Sequence, residues 1–332
     1  LNNEINNQIE ISILITVIGG KETMRRCLEA LRPQVQRLNA EIIVPYDSWA
    51  ADVGELAGEF PEVKFPLVTD LGIAADATIP SHQHRLCDRR RAIGLSLARG
   101  KIIAMTEDQI IPATDWVSRI IEVHRRLPDA VIGGSIDNAV DEPMHWATYY
   151  CDHGRYGSPL QSGEAEYVSD LNISYKREAI ERTRNVWSEA YGETTVHWAM
   201  RDQGMTLRLD PVLKVFKHRP QIRYWQAVKQ RAEWGRIFAE TRIANSGVLQ
   251  RIFFALMTPL LPVVLMGRNF KHMLRQKRTA GQMISMFPLV AGLLLGWSWG
   301  ELVGYVQGEP KSPLNTMIPD AEMAETGVTT SD

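Results

Sequence analysis

Glu107 and Asp108 stand side by side just past a β-rich run, Lys101 to Met105. Two adjacent carboxylates repel each other, and a bound divalent cation relieves that repulsion. Hard oxygen ligands of this kind suit Mg²⁺ or Mn²⁺. The residues alone leave a second assignment open, because Asp108 or Asp115 can cap the helix that follows. Asp47 occupies a comparable place, just after the run Glu41 to Val44. In open α/β sheets, polar residues beyond the carboxyl ends of strands line the ligand crevice. Asp47, Glu107 and Asp108 are therefore the first candidates for chemistry.

The elements that must position them read as an alternation. Ile9 to Ile18 is a β-rich run ending in Gly19-Gly20. Met24, Cys27, Leu28, Leu31 and Val35 then recur at helical spacing. Short strands are predicted over Glu41–Val44 and Val63–Val68, and a helix over Arg89–Arg99 that stops at Gly100. A strand over Lys101–Met105, a helix over Trp116–Leu127 and a strand over Ala130–Ile136 follow. Strands alternating with helices argue for a mostly parallel α/β sheet covered on both faces.

With 332 residues, 45% of them apolar and 23% charged, the chain is neither disordered nor a disulfide-stapled mini-protein. Cys27, Cys87 and Cys151 are widely spaced and fit reduced thiols. The polar, Asn-rich opening, Leu1 to Glu10, does not read as a signal peptide. The near-neutral total hides an asymmetry: residues 212–282 hold 14 basic and two acidic side chains, whereas residues 1–211 hold 22 and 31. A basic block interleaved with apolar runs points to an anionic membrane surface and away from nucleic acid.

Several segments in order resemble glycosyltransferase family 2, with its GT-A fold. Ile11-Ser12-Ile13-Leu14-Ile15 resembles the opening strand, and Leu28, Leu31 and Gln34 the helix after it. Glu41 to Val44 with Asp47-Ser48 resembles the second strand and the aspartate that recognises the nucleotide base. Arg91-Ala92-Ile93-Gly94 resembles the Arg-Asn-x-Gly helix, with Ala92 in place of Asn. Lys101 to Pro112 resembles the strand and acidic metal motif, here Thr106-Glu107-Asp108-Gln109. Val168 to Glu178 resembles the acceptor-side segment. Tyr191 to Pro211 resembles the segment with a Glu-Asp pair, here Glu193-Thr194.

The resemblance implies a GT-A domain over 11–220 and an inverting transfer from a nucleoside-diphosphate sugar. It implies Asp47, Arg91, Glu107 and Asp108 at the nucleotide sugar, and Asp170 and Asn172 at the acceptor. Asp108 would carry the Mg²⁺ or Mn²⁺, joined by His218. Because threonine is no general base at neutral pH, the base role passes to Glu193. Each residue also has a plainer assignment. Glu193 can be a solvated helix-start residue, Arg91 a solvated helix face, Asn172 a strand-end hydrogen bond and His218 a structural histidine. Trp187, Tyr191 and Trp198 fit sugar stacking or core packing. The absence of a Gln-x-x-Arg-Trp segment argues against a processive polysaccharide synthase.

Beyond residue 220 the pattern changes. Ile252 to Gly267 and Met283 to Gly300 are uncharged runs of 16 and 18 residues, against about 20 for a membrane span. They flank the basic stretch Arg268 to Gln282. A helical membrane-associated region over 221–308 is expected, with interfacial or re-entrant helices on the cytoplasmic face of a membrane such as a bacterial inner membrane. Trp297, Trp299 and Tyr305 would lie at headgroup depth. A packed helical hairpin or dimer interface is the alternative. Residues 1–10 are expected to be flexible and 309–332 a disordered acidic tail. Together these readings describe a transferase acting on a lipid-linked or glycan acceptor. The alternatives are a polyprenyl-phosphate sugar synthase and a non-catalytic membrane scaffold. A nucleotidyltransferase would share the sheet but not the Tyr191–Pro211 segment.

Overall fold

The computed structural model describes residues 8–69, 80–243 and 246–307. The expected acidic tail and most of the expected flexible N-terminus lie outside them. The described residues form two compact units. The first runs to Pro220, apart from Pro80, Ser81 and Val140–Arg155, which join the residues from Gln221 onward in the second.

The first unit opens with β1 (Ile11–Thr16), α1 (Lys21–Val35), β2 (Ala40–Ile43), β3 (Val63–Lys64), α2 (Pro80–Leu97), β4 (Ile102–Glu107), β5 (Ile110–Pro112), α3 (Trp116–Arg126) and β6 (Val131–Asn138). After α4 (Pro143–Asp152), which belongs to the second unit, come β7 (Gly163–Glu164), β8 (Ile173–Lys176), α5 (Arg177–Arg182), α6 (Arg184–Trp187), α7 (Glu193–Asp202) and β9 (Leu207–Lys217). The strands form one sheet in the order β3-β2-β1-β4-β8-β6-β9-β5, with β7 beside β9. β8 is antiparallel to β4 and β6, β5 and β7 are antiparallel to β9, and the other pairs are parallel. This is the mostly parallel, helix-flanked sheet that the resemblance implies. The strand expected over Val63–Val68 is only two residues long, with Tyr46 and Leu67 forming an isolated bridge beyond it.

The period of two along β1 separates the two cores. Ile11, Ile13 and Ile15 face one side and pack with Met24, Cys27 and Leu28 of α1 and Trp116, Val117 and Ile120 of α3. Leu14 faces the other side, with Leu95 of α2, Ile180 of α5, Trp187 of α6 and Val196 and Met200 of α7. Trp187 is therefore core, and its indole N–H donates to the Ile180 carbonyl at 2.7 Å. The parallel register sends β1, β2, β4, β6 and β9 out at one edge. β8, running the other way, enters there. Thr16, Asp47, Glu107, Lys217 and the Asp170–Asn172 turn consequently share that edge.

The second unit is helical: α4, α8 (Tyr224–Arg242), α9 (Val248–Met257), α10 (Leu261–Arg275) and α11 (Ala280–Gln307). α11 lies on α8 through Gly292, Gly296, Gly300 and Gly304, one every four residues and hence on one helix face. A Cβ on Gly300 would stand 1.9 Å from the Ala232 carbonyl oxygen, so only glycine admits this backbone approach. α9, a 3-10 turn over Thr258–Leu260 and α10 make a 28-residue stretch, as long as α11, and both are long and apolar enough to cross a membrane. The uncharged runs understate them, because the first stretch also takes in Arg251, Arg268 and Lys271 before ending at Arg275, and α11 takes in Glu301. Many of their apolar side chains face outward: Leu249, Leu256, Val263, Ile284 and Trp299 are all more than 60% exposed. Tyr305 is not at the surface as expected. It is buried, its ring tilted by 31° against that of Phe254 with centroids 5.5 Å apart.

Candidate active site at the carboxyl edge of the sheet

α2 brings two arginines to this edge. Leu86, Cys87, Arg90, Arg91, Leu95 and Ala98 are all buried, a stripe at helical spacing that carries both guanidiniums inward. Arg91 is 6% exposed. Its Nη2 lies 2.5 Å from Asp170 Oδ2 and its Nη1 3.2 Å from Asp88 Oδ1, while Nε donates to Thr16 Oγ1 at 3.0 Å. The two carboxylates hold its charge firmly in the buried site. Asp170 is tied in turn to Glu193, whose Oε2 accepts the Asp170 backbone N–H at 2.9 Å. Glu193 is the first residue of α7, where the helix dipole favours a negative charge. Three residues singled out for different parts of the reaction, Arg91, Asp170 and Glu193, are thus one connected cluster.

Behind it lies a buried polar chain. The Tyr191 and Tyr175 hydroxyls meet, and Tyr175 Oη lies 2.9 Å from His197 Nε2. Burial, with Glu193 and Asp170 nearby, raises both phenols well above their ordinary range. Burial pushes His197 down to about 4, so its imidazole is neutral at pH 7. Tyr191 packs here and does not offer a stacking face.

The other candidates are committed to structure. Asp47 is fully buried: its Oδ2 accepts from Arg90 Nε at 2.7 Å and its Oδ1 from the Trp49 N–H at 2.9 Å. Asn172 is 1% exposed. Its amide donates to the Ser135 and Leu213 carbonyls at 2.9 and 3.0 Å and accepts from Trp116 Nε1 at 2.9 Å. That is the strand-end assignment, with both amide donors spent and the side chain buried.

The fit to a divalent cation fails on the same test. Asp108 Oδ1 accepts the N–H groups of Ile18 and Gly19, both at 3.1 Å. Its Oδ2 accepts those of Gly19 and Gly20 at 2.9 and 3.0 Å and the Thr23 hydroxyl at 2.9 Å. Gly20 sits at φ +91°, a conformation that favours glycine, and this turns the loop's N–H groups onto the carboxylate. Burial raises the Asp108 carboxyl, the four donors oppose it, and the balance leaves it at about 6. A carboxylate with this many donors has no lone pair for a metal. Glu107 forms a buried ion pair with Lys217, which ends β9. Burial and Arg219 press the Lys217 ammonium well down from its ordinary range. His218 Nδ1 is 2.7 Å from Arg26 Nη1. Among the described residues no group of three or more His, Cys, Asp or Glu side chains is placed to hold a metal.

Sequence reasoning missed Arg90, Lys217, Tyr175 and His197. Arg90 and Lys217 did leave a signal: Arg90 falls on the apolar stripe of α2, and Lys217 continues the inward alternation of Leu213 and Val215 in β9.

No family model matches the chain. A glucosyl-dolichyl phosphate glucuronosyltransferase from Haloferax volcanii is 28% identical over 97 residues, covering 26% of this chain and 30% of that protein. The match therefore spans less than a third of the relative's length. Among solved structures, the mannosyltransferase PcManGT from Pyrobaculum calidifontis, in complex with GDP-Man and Mn²⁺, aligns over 97% of this chain and 80% of its own, at 12% identity and a TM-score of 0.42.

Proposed function

We propose that this chain is a membrane-associated inverting glycosyltransferase that moves a sugar from a nucleoside-diphosphate sugar to a lipid-linked acceptor. The observation that carries the reading is the joined cluster of Arg91, Asp170 and Glu193 at the carboxyl edge of the sheet. Arg91 is a fixed cation in a low-dielectric setting, suited to charge developing on a leaving diphosphate. Glu193 takes the proton of the acceptor hydroxyl, and Asp170 holds both in register. In-line attack on the anomeric carbon then breaks its bond to the diphosphate in one displacement, with inversion. Lys217, paired with Glu107, lies at the same edge. No step is routed through a metal, because the residues expected to hold one are engaged elsewhere.

The lipid-linked acceptor rests on the second unit, with its outward apolar faces, and on the relative's name, which states a dolichyl-phosphate-linked sugar. We place the helices at the cytoplasmic face of the membrane, where nucleotide sugars are made. One set of observations favours a non-catalytic scaffold instead: Asp47 and Asp108 are fully engaged, and Thr194 stands beside Glu193. Isothermal titration of the purified full chain against UDP-, GDP- and dTDP-sugars separates the two readings. The transferase reading expects one donor to bind, and Arg91→Lys, assayed as folded protein, to weaken it at least tenfold. Binding of none would leave the scaffold.

A further inference from the structure

The second unit contains a cavity of about 390 Å³ that the proposed reaction does not use. Arg155, Arg231, Arg242 and Arg268 line it, against two carboxylates, Asp152 and Glu301. Both carboxylates are engaged: Asp152 pairs with Arg231, and Glu301 accepts from Trp297 Nε1 and from the Tyr305 hydroxyl. Arg268 has no carboxylate partner among the described residues. Arg242 lies over the Phe254 ring at 3.9 Å, and its buried Nε has no hydrogen-bond partner. Asn269 also lines the cavity, is 6% exposed, and makes no side-chain hydrogen bond among the described residues. Its unpaired amide can hydrogen-bond a polar group in the cavity. The cavity thus presents uncompensated positive charge and unused donors.

Its surroundings are apolar. Leu261 and Leu265 of α10 line the cavity, and Val263 and Val264, between them in sequence, are 72% and 58% exposed. A ligand that uses both features carries an anionic head and hydrocarbon chains. We infer that this cavity is a binding site for the phosphate headgroup of an anionic membrane phospholipid, with its acyl chains lying along the outward apolar face of α10. A free phosphate would use the arginines but leave the apolar rim bare. A zwitterionic headgroup would cancel most of the attraction.

Native mass spectrometry of the detergent-purified full chain tests this, independently of any sugar transfer. The probes are dihexanoyl-phosphatidylglycerol, dihexanoyl-phosphatidylcholine and inorganic phosphate. One phosphatidylglycerol is expected to bind at least tenfold more tightly than either of the others. Arg268→Gln, an exposed position whose loss leaves the fold intact, should weaken it about fivefold. Asn269→Leu should weaken it too, while Lys229→Gln, the same charge change on an exposed face of α8, should have no effect. Equal binding of phosphatidylcholine or of inorganic phosphate would overturn the proposal. So would equal losses from Arg268→Gln and Lys229→Gln.

Discussion

At the scale of single residues, what separates a chemical group from a structural one is how much of its hydrogen-bonding capacity is already spent. Asp108 and Glu193 are both carboxylates at one edge of one sheet, yet Asp108 accepts five hydrogen bonds from a loop and Thr23. It acts as the clasp that folds the β1–α1 loop. Asp108→Asn would turn an N–H₂ toward backbone N–H groups, leaving buried donors unpaired at roughly 1–3 kcal/mol. The variant is expected to melt well below wild type, while Mn²⁺ shifts the melting temperature of neither. A clear Mn²⁺-dependent rise in wild type, absent from the variant, would restore Asp108 as a metal ligand.

At the scale of elements, the first unit's alternation was legible because α1 and α3 bury apolar stripes at helical spacing, and β1 and β6 are short runs buried along most of their length. β8 and β9 were not read as strands. Val168 to Glu178 and Tyr191 to Pro211 mix polar and apolar residues, because one end of each segment builds the site and the other builds the sheet. The candidate site was legible in part. Residue type marked Arg91, Asp170 and Glu193, but nothing local shows that Asp47 meets Arg90 or that Glu107 meets Lys217, pairs 43 and 110 positions apart. The glycine stripe of α11 also escaped the reading, hidden in an apolar run. It has a test of opposite signs. In an unpacked helix Gly→Ala stabilises by about 1 kcal/mol. Gly267→Ala, with no atom within 4 Å of the added Cβ, should raise the melting temperature in detergent. Gly300→Ala, facing the Ala232 carbonyl, should lower it by the cost of overpacking, about 1–3 kcal/mol or more. A rise at both positions would mean that α8 and α11 do not pack through this stripe.

At the scale of the molecule, charge divides as the structure does. An acidic sheet unit carries a cluster suited to sugar transfer, and a basic, outwardly apolar helical unit is suited to a membrane. The proposal joins them as one enzyme, and its core is that Glu193 deprotonates an acceptor. The deciding measurement is release of nucleoside diphosphate from the bound donor, with membrane lipid extract as acceptor, by wild type and Glu193→Gln. Glutamine keeps the hydrogen bond from the Asp170 N–H and removes the base. Turnover in wild type that falls about 10²–10⁴-fold in the variant, with donor affinity unchanged, is the expected result. Equal turnover in the two proteins, or none in wild type with a bound donor, would contradict it.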